Sequence, residues 1–339
     1  MLKPLRILVF IMIFLLWRGN CLWASIPDGQ EIKAMWVTRF QLDSKEKIDR
    51  FVTKAKENGF NMLFVQVLGR GEAYYRSSIL PTVETGFDPL AETVEKSRRQ
   101  GIKVHAWLNA YYVWSSPEAP SQLNHVVNAK PHWLLPKTSN MLFLNPANKG
   151  VQDHLYSVYL EVARNYDVDG IHFDYIRYPD HSFVYDKKNP AYPIAAKRRA
   201  DDVTGLVKRI YQEVKKLKPG IAVSAAVYPD IFDASTDKGQ DWRKWQKDGI
   251  IDFTVPMIYS RDPVRVLDLI LLNASVSSKN SVVLGLGAFN NPADVISDHI
   301  KTYKYYKRFY KSLKGFSLFS YDSLSDSPGY FEKIRKDVL

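Results

Sequence analysis

Short strand-forming segments alternate with amphipathic helical segments along the whole chain, and this alternation constrains the fold more than any other feature. Eight segments rich in β-branched and aromatic residues are expected to form strands: residues 33–40, 62–68, 103–109, 170–174, 222–227, 253–259, 282–288 and 316–321. Because a helical pattern follows each of them, the sequence predicts a series of βαβ units with parallel strands.

The predicted helices have apolar stripes and clear end signals. In residues 44–58 the apolar side chains recur at i, i+3, i+4 and i+7, and Gly59 follows as a C-cap. Asp88 and Pro89 provide an N-cap and a first helical position for residues 90–100. Further helices are predicted at residues 151–165, 196–218, 241–248, 262–272, 292–309 and 328–338.

Eight such pairs without a linker or repeat favour a closed, single-domain (β/α)8 barrel of the α/β class. An open, doubly wound sheet is the competing fold, and it normally carries a glycine-rich phosphate loop. The nearest match begins at Gly285 and Gly287, but Asn290 occupies the position of the third glycine. Long loops are expected after strands three and four, at residues 111–149 and 178–195, on the face where such barrels build their sites.

The N-terminus has the pattern of a secretory signal. Lys3 and Arg6 precede an apolar run at residues 7–17, which is much shorter than the ~20 residues of a spanning helix. We predict a signal peptide at residues 1–24 and a barrel at 25–339, exported to the periplasm, the cell envelope or the extracellular space. Lipid attachment at Cys21 is a less favoured alternative, because Arg18-Gly-Asn20 is a poor approach to a lipidated cysteine. An uncleaved anchor is the third possibility.

Composition limits the partners. Cys21 is the only cysteine, so the exported chain would hold no disulfide. The formal net charge is +11, and removal of Lys3, Arg6 and Arg18 with the signal leaves 11 − 3 = 8 positive charges. This surplus favours an anionic polymer or surface. An anionic wall glycan fits an exported protein better than nucleic acid does, and membrane attachment is expected only through the N-terminus.

The strongest local signal is Asp169-Gly-Ile-His-Phe-Asp-Tyr-Ile-Arg177. Strand alternation places His172 and Asp174 on one face, with Asp174 at the end of the strand, where barrel enzymes carry catalytic groups. Arg177 could hold or tune this carboxylate. The structural alternatives are a buried Asp174–Arg177 pair and a histidine that only packs inside the barrel.

Polar and aromatic residues end most of the other predicted strands, and together they make a site. Glycoside hydrolysis requires one carboxyl group to protonate the leaving oxygen and a second to act as nucleophile or base. Asp174 is the first choice for a catalytic carboxylate, with Glu72 and Asp230 as candidate partners. The predicted substrate-binding residues are Trp107, Asn109, His172, Arg177, Tyr259 and Asp322.

The chain resembles the family 10 glycosylhydrolase-like barrels of the bacterial cell envelope. Seven segments in order carry the resemblance: 34–38 (AMWVT), 65–74 (VQVLGRGEAY), 87–90 (FDPL), 104–109 (VHAWLN), 144–146 (LNP), 168–179 (VDGIHFDYIRYP) and 255–259 (VPMIY). The resemblance implies a TIM barrel, an envelope location and hydrolysis of polysaccharide, with peptidoglycan glycan strands as a suspected substrate class. Members often carry Asp where Glu72 stands and Gln where Met257 stands.

Two other functions stay open on the sequence. The first is a wall-glycan-binding barrel without catalysis, which would lack a second acid near Asp174. The second is metal-dependent hydrolysis or deacetylation through His172 and Asp174, but ligand spacings typical of metal sites are missing. We therefore expect neither a metal nor a cofactor.

Overall fold

The computed structural model describes residues 30–137, 140–180, 182, 191–277 and 281–338. The predicted signal peptide and Cys21 lie outside the described residues. Eight parallel strands form the centre of the protein: β1 (Ile32–Val37), β2 (Met62–Gly69), β3 (Lys103–Asn109), β4 (Gly170–Asp174), β5 (Ala222–Val227), β6 (Phe253–Ile258), β7 (Val282–Gly287) and β8 (Leu313–Phe319).

The strands close into a ring. β1 pairs in parallel with β2, where Met35 lies opposite Leu63, and also with β8, where Ala34 lies opposite Ser317. Gly315 allows this closure, because a Cβ atom there would lie 2.0 Å from the carbonyl oxygen of Ile32. A doubly wound sheet has free edges and is therefore ruled out. The predicted (β/α)8 barrel is confirmed.

One main helix follows each strand and packs outside the ring. The eight helices are α1 (Lys45–Glu57), α2 (Pro89–Arg99), α3 (Lys149–Asn165), α4 (Tyr192–Leu217), α5 (Trp242–Lys247), α6 (Pro263–Val276), α7 (Ala293–Tyr306) and α8 (Tyr330–Val338). Their ends agree with the sequence signals. Ser44 caps α1 by accepting from the Lys47 amide, and Asp88 caps α2 by accepting from the Ala91 amide.

Two apolar cores support the site. The larger core lies between the strands and the helices, where α1 buries Ile48, Phe51 and Val52. The smaller core fills the inside of the ring and includes Trp36 and Phe64. A packed barrel interior leaves space for a ligand only beyond the strand ends. Among the described helices, none has the length and apolar character needed to span a bilayer.

Long loops leave the carboxyl-terminal ends of β3 and β4. The loop after β3 contains a pair of short antiparallel strands, Tyr112–Trp114 and Leu142–Phe143, and a short helix, Val126–Ala129. The loop after β4 is described at residues 175–180, 182 and 191. Both loops border the same face of the barrel, as the sequence predicts.

Candidate active site

A cavity of about 510 Å³ opens at the carboxyl-terminal ends of the strands. Its size lies within the range of small-molecule sites, and its position is the one that this architecture uses for ligands. All eight strands, or the residues directly after them, contribute to the wall. The lining residues are Trp36, Thr38, Arg39, Phe40, Gln66, Trp107, Asn109, Tyr112, Asp174, Tyr175, Arg177, Ala226, Tyr228, Pro229, Met257, Tyr259, Phe289 and Phe319.

Asp174 ends β4 and lines the cavity, as strand alternation predicts. Its Oδ1 accepts a hydrogen bond from the Tyr175 backbone amide at 2.7 Å, and its Oδ2 accepts from Trp107 Nε1 at 3.1 Å. Burial raises the pKa of Asp174 from 3.8 to about 6, although the Tyr175 amide, the Arg177 charge and the Trp107 indole each lower it. This carboxyl group can therefore hold a proton close to neutral pH.

Trp107 connects Asp174 to the neighbouring strand. Its indole N–H is shared between Asp174 and Asn109 Oδ1, which lies 3.0 Å away. Asn109 Oδ1 also lies 3.5 Å from Gln66 Nε2, at the edge of hydrogen-bond distance. Because Trp107 is only 3 % exposed, it offers no open ring face for stacking on a sugar.

The backbone turns sharply directly after Asp174. Tyr175 has a φ of +47°, in the left-handed region that bulky residues rarely adopt. The Asp174 carbonyl accepts from the Ala110 amide at 2.8 Å, and the Tyr175 carbonyl accepts from the Tyr111 amide at 3.2 Å. The start of the loop after β3 thus holds this strained turn, which aims the Asp174 carboxyl group into the cavity.

Two guanidinium groups border the cavity. Arg177 is buried, donates to the Tyr178 carbonyl at 3.1 Å and lies 3.5 Å from the Asp180 carboxylate. Arg39 follows β1, and its Nη1 lies 3.4 Å from Gln66 Oε1. Arg177 thus forms an ion pair with Asp180, and its charge lowers the pKa of Asp174 without a direct hydrogen bond between the two side chains. Arg39 supplies a second cationic group at the opposite part of the wall.

Aromatic rings form the other side. The Tyr259 ring stacks on Phe319 with centroids 5.6 Å apart, and Phe289 meets Tyr259 edge-on at 5.4 Å. Phe289 is 52 % exposed and Phe40 is 61 % exposed. Exposed rings beside a cavity can stack on the C–H faces of sugar rings, so this wall suits a carbohydrate.

His172, a predicted substrate contact, lies beneath the cavity floor. Its Nε2 accepts from Trp36 Nε1 at 3.1 Å, and its Nδ1 lies 2.9 Å from Ser224 Oγ. The imidazole also stacks on Phe64, with centroids 4.1 Å apart. Burial lowers the pKa of His172 well below its usual range. Strand alternation places this side chain inside the barrel correctly, but Trp36 lies between it and any ligand in the cavity.

The predicted partner carboxylates are held outside the cavity lining. Asp230 caps the short helix Ile231–Thr236, where its Oδ1 accepts from the Phe232 and Asp233 amides at 3.0 and 3.2 Å. Glu72 lies in the turn after β2 and accepts from Gln122 Nε2 at 3.1 Å. Backbone and side-chain donors thus satisfy both groups locally. Neither one lines the cavity with Asp174, and their catalytic roles stay predictions.

Asp322, a predicted ligand contact, lies outside the cavity lining and binds residues of the segment after β1. It accepts hydrogen bonds from Thr38 Oγ1 at 3.0 Å and from Gln41 Nε2 at 2.7 Å. These bonds fix the segment that carries Arg39 and Phe40. Among the other predicted contacts, Trp107, Asn109, Arg177 and Tyr259 do line the cavity.

Several lining residues were not identifiable as candidates from the sequence. The sequence predicts that the first strand includes Arg39 and Phe40, but in the structure this strand ends at Val37. Strand alternation therefore cannot predict where these two side chains point. Tyr228 precedes Pro229 just beyond β5, and Tyr175 adopts its turn through contacts with a distant loop. A polar or aromatic residue shortly after a strand end is the one signal that all four share.

Metal chemistry finds no support in the described ranges, where no group of three or more His, Cys, Asp or Glu side chains could hold an ion. The chemistry present is a carboxyl group whose pKa is raised to about 6, beside cationic and aromatic groups. Such a set can protonate a leaving oxygen or bind a sugar through hydrogen bonds and stacking.

Comparison with known proteins gives a consistent result. A family model described as Glycosyl hydrolase-like 10 matches residues 31–282. Glycosyl hydrolase YngK of Bacillus subtilis (strain 168) is 24% identical over 283 residues, which are 70% of this chain and 55% of that protein. Glycosyl hydrolase DigH of Escherichia coli (strain K12) is 28% identical over 263 residues, which are 66% of this chain and 59% of that protein. The matches thus span little more than half the length of these relatives.

Solved structures share the fold. The glycoside hydrolase domain of PgaB (BpsB) from Bordetella bronchiseptica is similar with a TM-score of 0.68 at 14% identity, covering 91% of this chain and 99% of that one. Alpha-L-fucosidase isoenzyme 2 from Paenibacillus thiaminolyticus follows with a TM-score of 0.62 at 12% identity, covering 91% and 49%. At these identities the similarity establishes the barrel and nothing about a substrate.

Proposed function

The chain belongs to the glycosyl hydrolase-like 10 family, and from that premise we propose that it is an exported glycoside hydrolase of a cell-envelope polysaccharide. The observation that carries the proposal is the position of Asp174 in the cavity, where burial raises its pKa to about 6. A carboxyl group in such a setting can donate a proton to the glycosidic oxygen as the bond to the anomeric carbon breaks.

The hydrogen bonds of Asp174 suit this role. The Tyr175 amide engages Oδ1 and the Trp107 indole engages Oδ2, so both bonds stabilise the carboxylate that remains after proton donation. A general acid must hold its proton before the reaction and stabilise the negative charge afterwards. Burial supplies the first property and the two N–H donors supply the second.

The walls favour a polysaccharide with anionic substituents. Phe40 and Phe289 offer exposed rings for stacking on sugars. Among the described residues no carboxylate pairs with Arg39, whose guanidinium group could bind a substrate carboxylate in a bidentate manner. Peptidoglycan glycan strands without attached peptides, which carry a free lactyl carboxylate on alternate sugars, fit this combination. We propose them as the substrate class.

The location is proposed from the sequence. Lys3, Arg6 and the apolar run at residues 7–17 favour export, and the positive charge surplus favours retention on anionic wall material. Retention of this kind should weaken as ionic strength rises.

A non-catalytic wall-glycan-binding barrel is the second candidate, and one observation favours it. Asp174 is the only carboxylate among the described residues of the cavity lining, whereas glycosidases generally use two. Binding would need only the aromatic and cationic walls. The two candidates differ in whether the glycan chain becomes shorter.

The test is incubation of the purified protein with peptidoglycan glycan strands and with neutral glycans, with product masses as the readout. We expect shortened products from the anionic strands and their loss in Asp174→Asn. Asp262→Asn is the matched control, because Asn is as good a helix cap as Asp and Asp262 caps α6 outside the cavity lining. Binding of the strands without any change in mass would favour the binding protein. Undiminished cleavage by Asp174→Asn would remove Asp174 from the mechanism.

A further inference from the structure

The amino-terminal face of the barrel, opposite the cavity, carries a second feature that the proposed function does not use. Residues 301–314 (KTYKYYKRFYKSLK) contain six cationic residues, five aromatic residues and no acidic residue. This stretch covers the end of α7, the turn after it and the start of β8. We define the basic aromatic patch as five of these residues: the half-buried Lys304 and the exposed Tyr305, Arg308, Phe309 and Lys311.

The patch exposes apolar rings next to positive charge. Tyr305 is 51 % exposed and Phe309 is 66 % exposed, and their ring centroids lie 5.6 Å apart. The Arg308 guanidinium lies 4.9 Å from the centroid of the Tyr305 ring. Among the described residues neither Arg308 nor Lys311 has a carboxylate within ion-pair distance. A pair of exposed rings framed by cations is the composition that proteins use at membrane interfaces.

The chain enters the barrel beside this patch. Lys307 Nζ and Tyr303 Oη each bond to Glu31 Oε1 at 3.0 Å, and Glu31 directly precedes β1. The apolar run of the leader ends at residue 17, and the residues between it and Glu31 span at most about 45 Å when extended. With a retained N-terminus, this face of the barrel therefore stays close to the membrane.

We propose that the basic aromatic patch docks the barrel onto an anionic phospholipid surface. Lys304, Arg308 and Lys311 would lie at the headgroups, while the Tyr305 and Phe309 rings insert between them. Each cation close to an anionic membrane contributes favourably to binding, and interfacial aromatic rings add apolar contact. With this face on the membrane, the cavity at the other end of the barrel points towards the wall.

Vesicle co-sedimentation tests the proposal. Residues 30–338 contain every described element and close the ring between β1 and β8 by themselves, so a chain beginning at Ser25 is suitable and excludes binding through the leader. Wild type should bind vesicles that contain phosphatidylglycerol and not vesicles of phosphatidylcholine alone. The triple variant K304Q/R308Q/K311Q should bind the anionic vesicles on the order of 100-fold more weakly.

Two further variants make the test specific. Tyr305→Ser with Phe309→Ser should also weaken binding, and it leaves the charge unchanged. The control K208Q/R243Q/K247Q removes three exposed cations from α4 and α5, with the same loss of net charge, and should keep its affinity.

Failure of wild type to bind anionic vesicles would overturn the proposal. Equal weakening by the control triple variant would also overturn it, because only overall charge would then matter. A patch that binds soluble anionic wall polymer but no vesicle would assign the surface to the wall instead. Glycan cleavage does not enter these measurements, so their outcome is independent of the proposed hydrolase.

Discussion

Replacement of Asp174 by Asn should change how the stability of the barrel depends on pH. Burial raises the pKa of Asp174 from 3.8 to about 6 in the folded protein. The folded state therefore binds this proton more tightly than the unfolded chain does. The contribution of this proton to the free energy of unfolding is most favourable below the pKa of Asp174 in the unfolded chain. It is lost as pH rises through the pKa of Asp174 in the folded protein. Asn has no proton to lose at this position.

The magnitude follows from the pKa difference. About two pKa units at 1.36 kcal/mol each correspond to a loss of about 3 kcal/mol at alkaline pH. About 1.4 kcal/mol of this loss should occur between about pH 5 and pH 7, where the fold is accessible to measurement. These figures are upper limits, because the side chain faces the cavity. The Asp174→Asn variant also loses the bond from Trp107, which costs about 1 kcal/mol but equally at every pH.

Urea unfolding of wild type, Asp174→Asn and Asp230→Asn at several pH values is the assay. The free energy of unfolding of wild type, minus that of Asp174→Asn, should fall by about 1.4 kcal/mol from about pH 5 to pH 7. Asp230→Asn should follow wild type, because it keeps the helix cap outside the cavity lining. Parallel pH profiles for wild type and Asp174→Asn would refute the reasoning, since the Asp174 proton would then not be coupled to folding.

Three more variants test the site. Trp107→Phe removes an N–H donor that lowers the pKa of Asp174. The alkaline limb of the pH–rate profile of glycan cleavage should therefore move to higher pH, and a limb that stays in place would contradict this reasoning. His172→Ala leaves the buried Trp36 N–H without its acceptor and opens a cavity, so the free energy of unfolding measured in urea should fall by roughly 3 kcal/mol. The folded variant should keep its affinity for the glycan, and a loss of affinity would make His172 a ligand contact. Asp230→Ala removes a helix cap worth about 1 kcal/mol and should leave cleavage intact; lost cleavage with native stability would restore Asp230 as a catalytic partner.

Strand four shows how far local pattern reaches. Alternation in residues 170–174 places His172 inside the barrel and Asp174 at the cavity, and the structure agrees on both placements. The same rule could not tell whether His172 would meet a ligand, because the side chain that covers it, Trp36, comes from a strand 136 residues earlier. Alternation gives the face of a strand but not what lies above it.

The carboxylates beyond the strand ends show where that rule stops. Glu72 and Asp230 follow β2 and β5 by only a few residues, as a catalytic partner of Asp174 would. Asp230 instead begins a helix, and Glu72 turns towards Gln122 in the loop after β3. After the last residue of a strand, side chains no longer alternate with a fixed period. The direction of a side chain there depends on local hydrogen bonds and on the loops that pack nearby.

The sequence by itself determined the eight strands, the eight main helices and the carboxylate at the end of β4. Strands and helices repeat their apolar residues with periods of 2 and 3.6 residues, and these periods can be recognised within a short stretch of sequence. Only the tertiary structure decided which groups share the cavity and that the pKa of Asp174 is raised to about 6. Those properties depend on side chains from all eight strands and the residues after them, which meet when the ring closes and partly bury one carboxyl group.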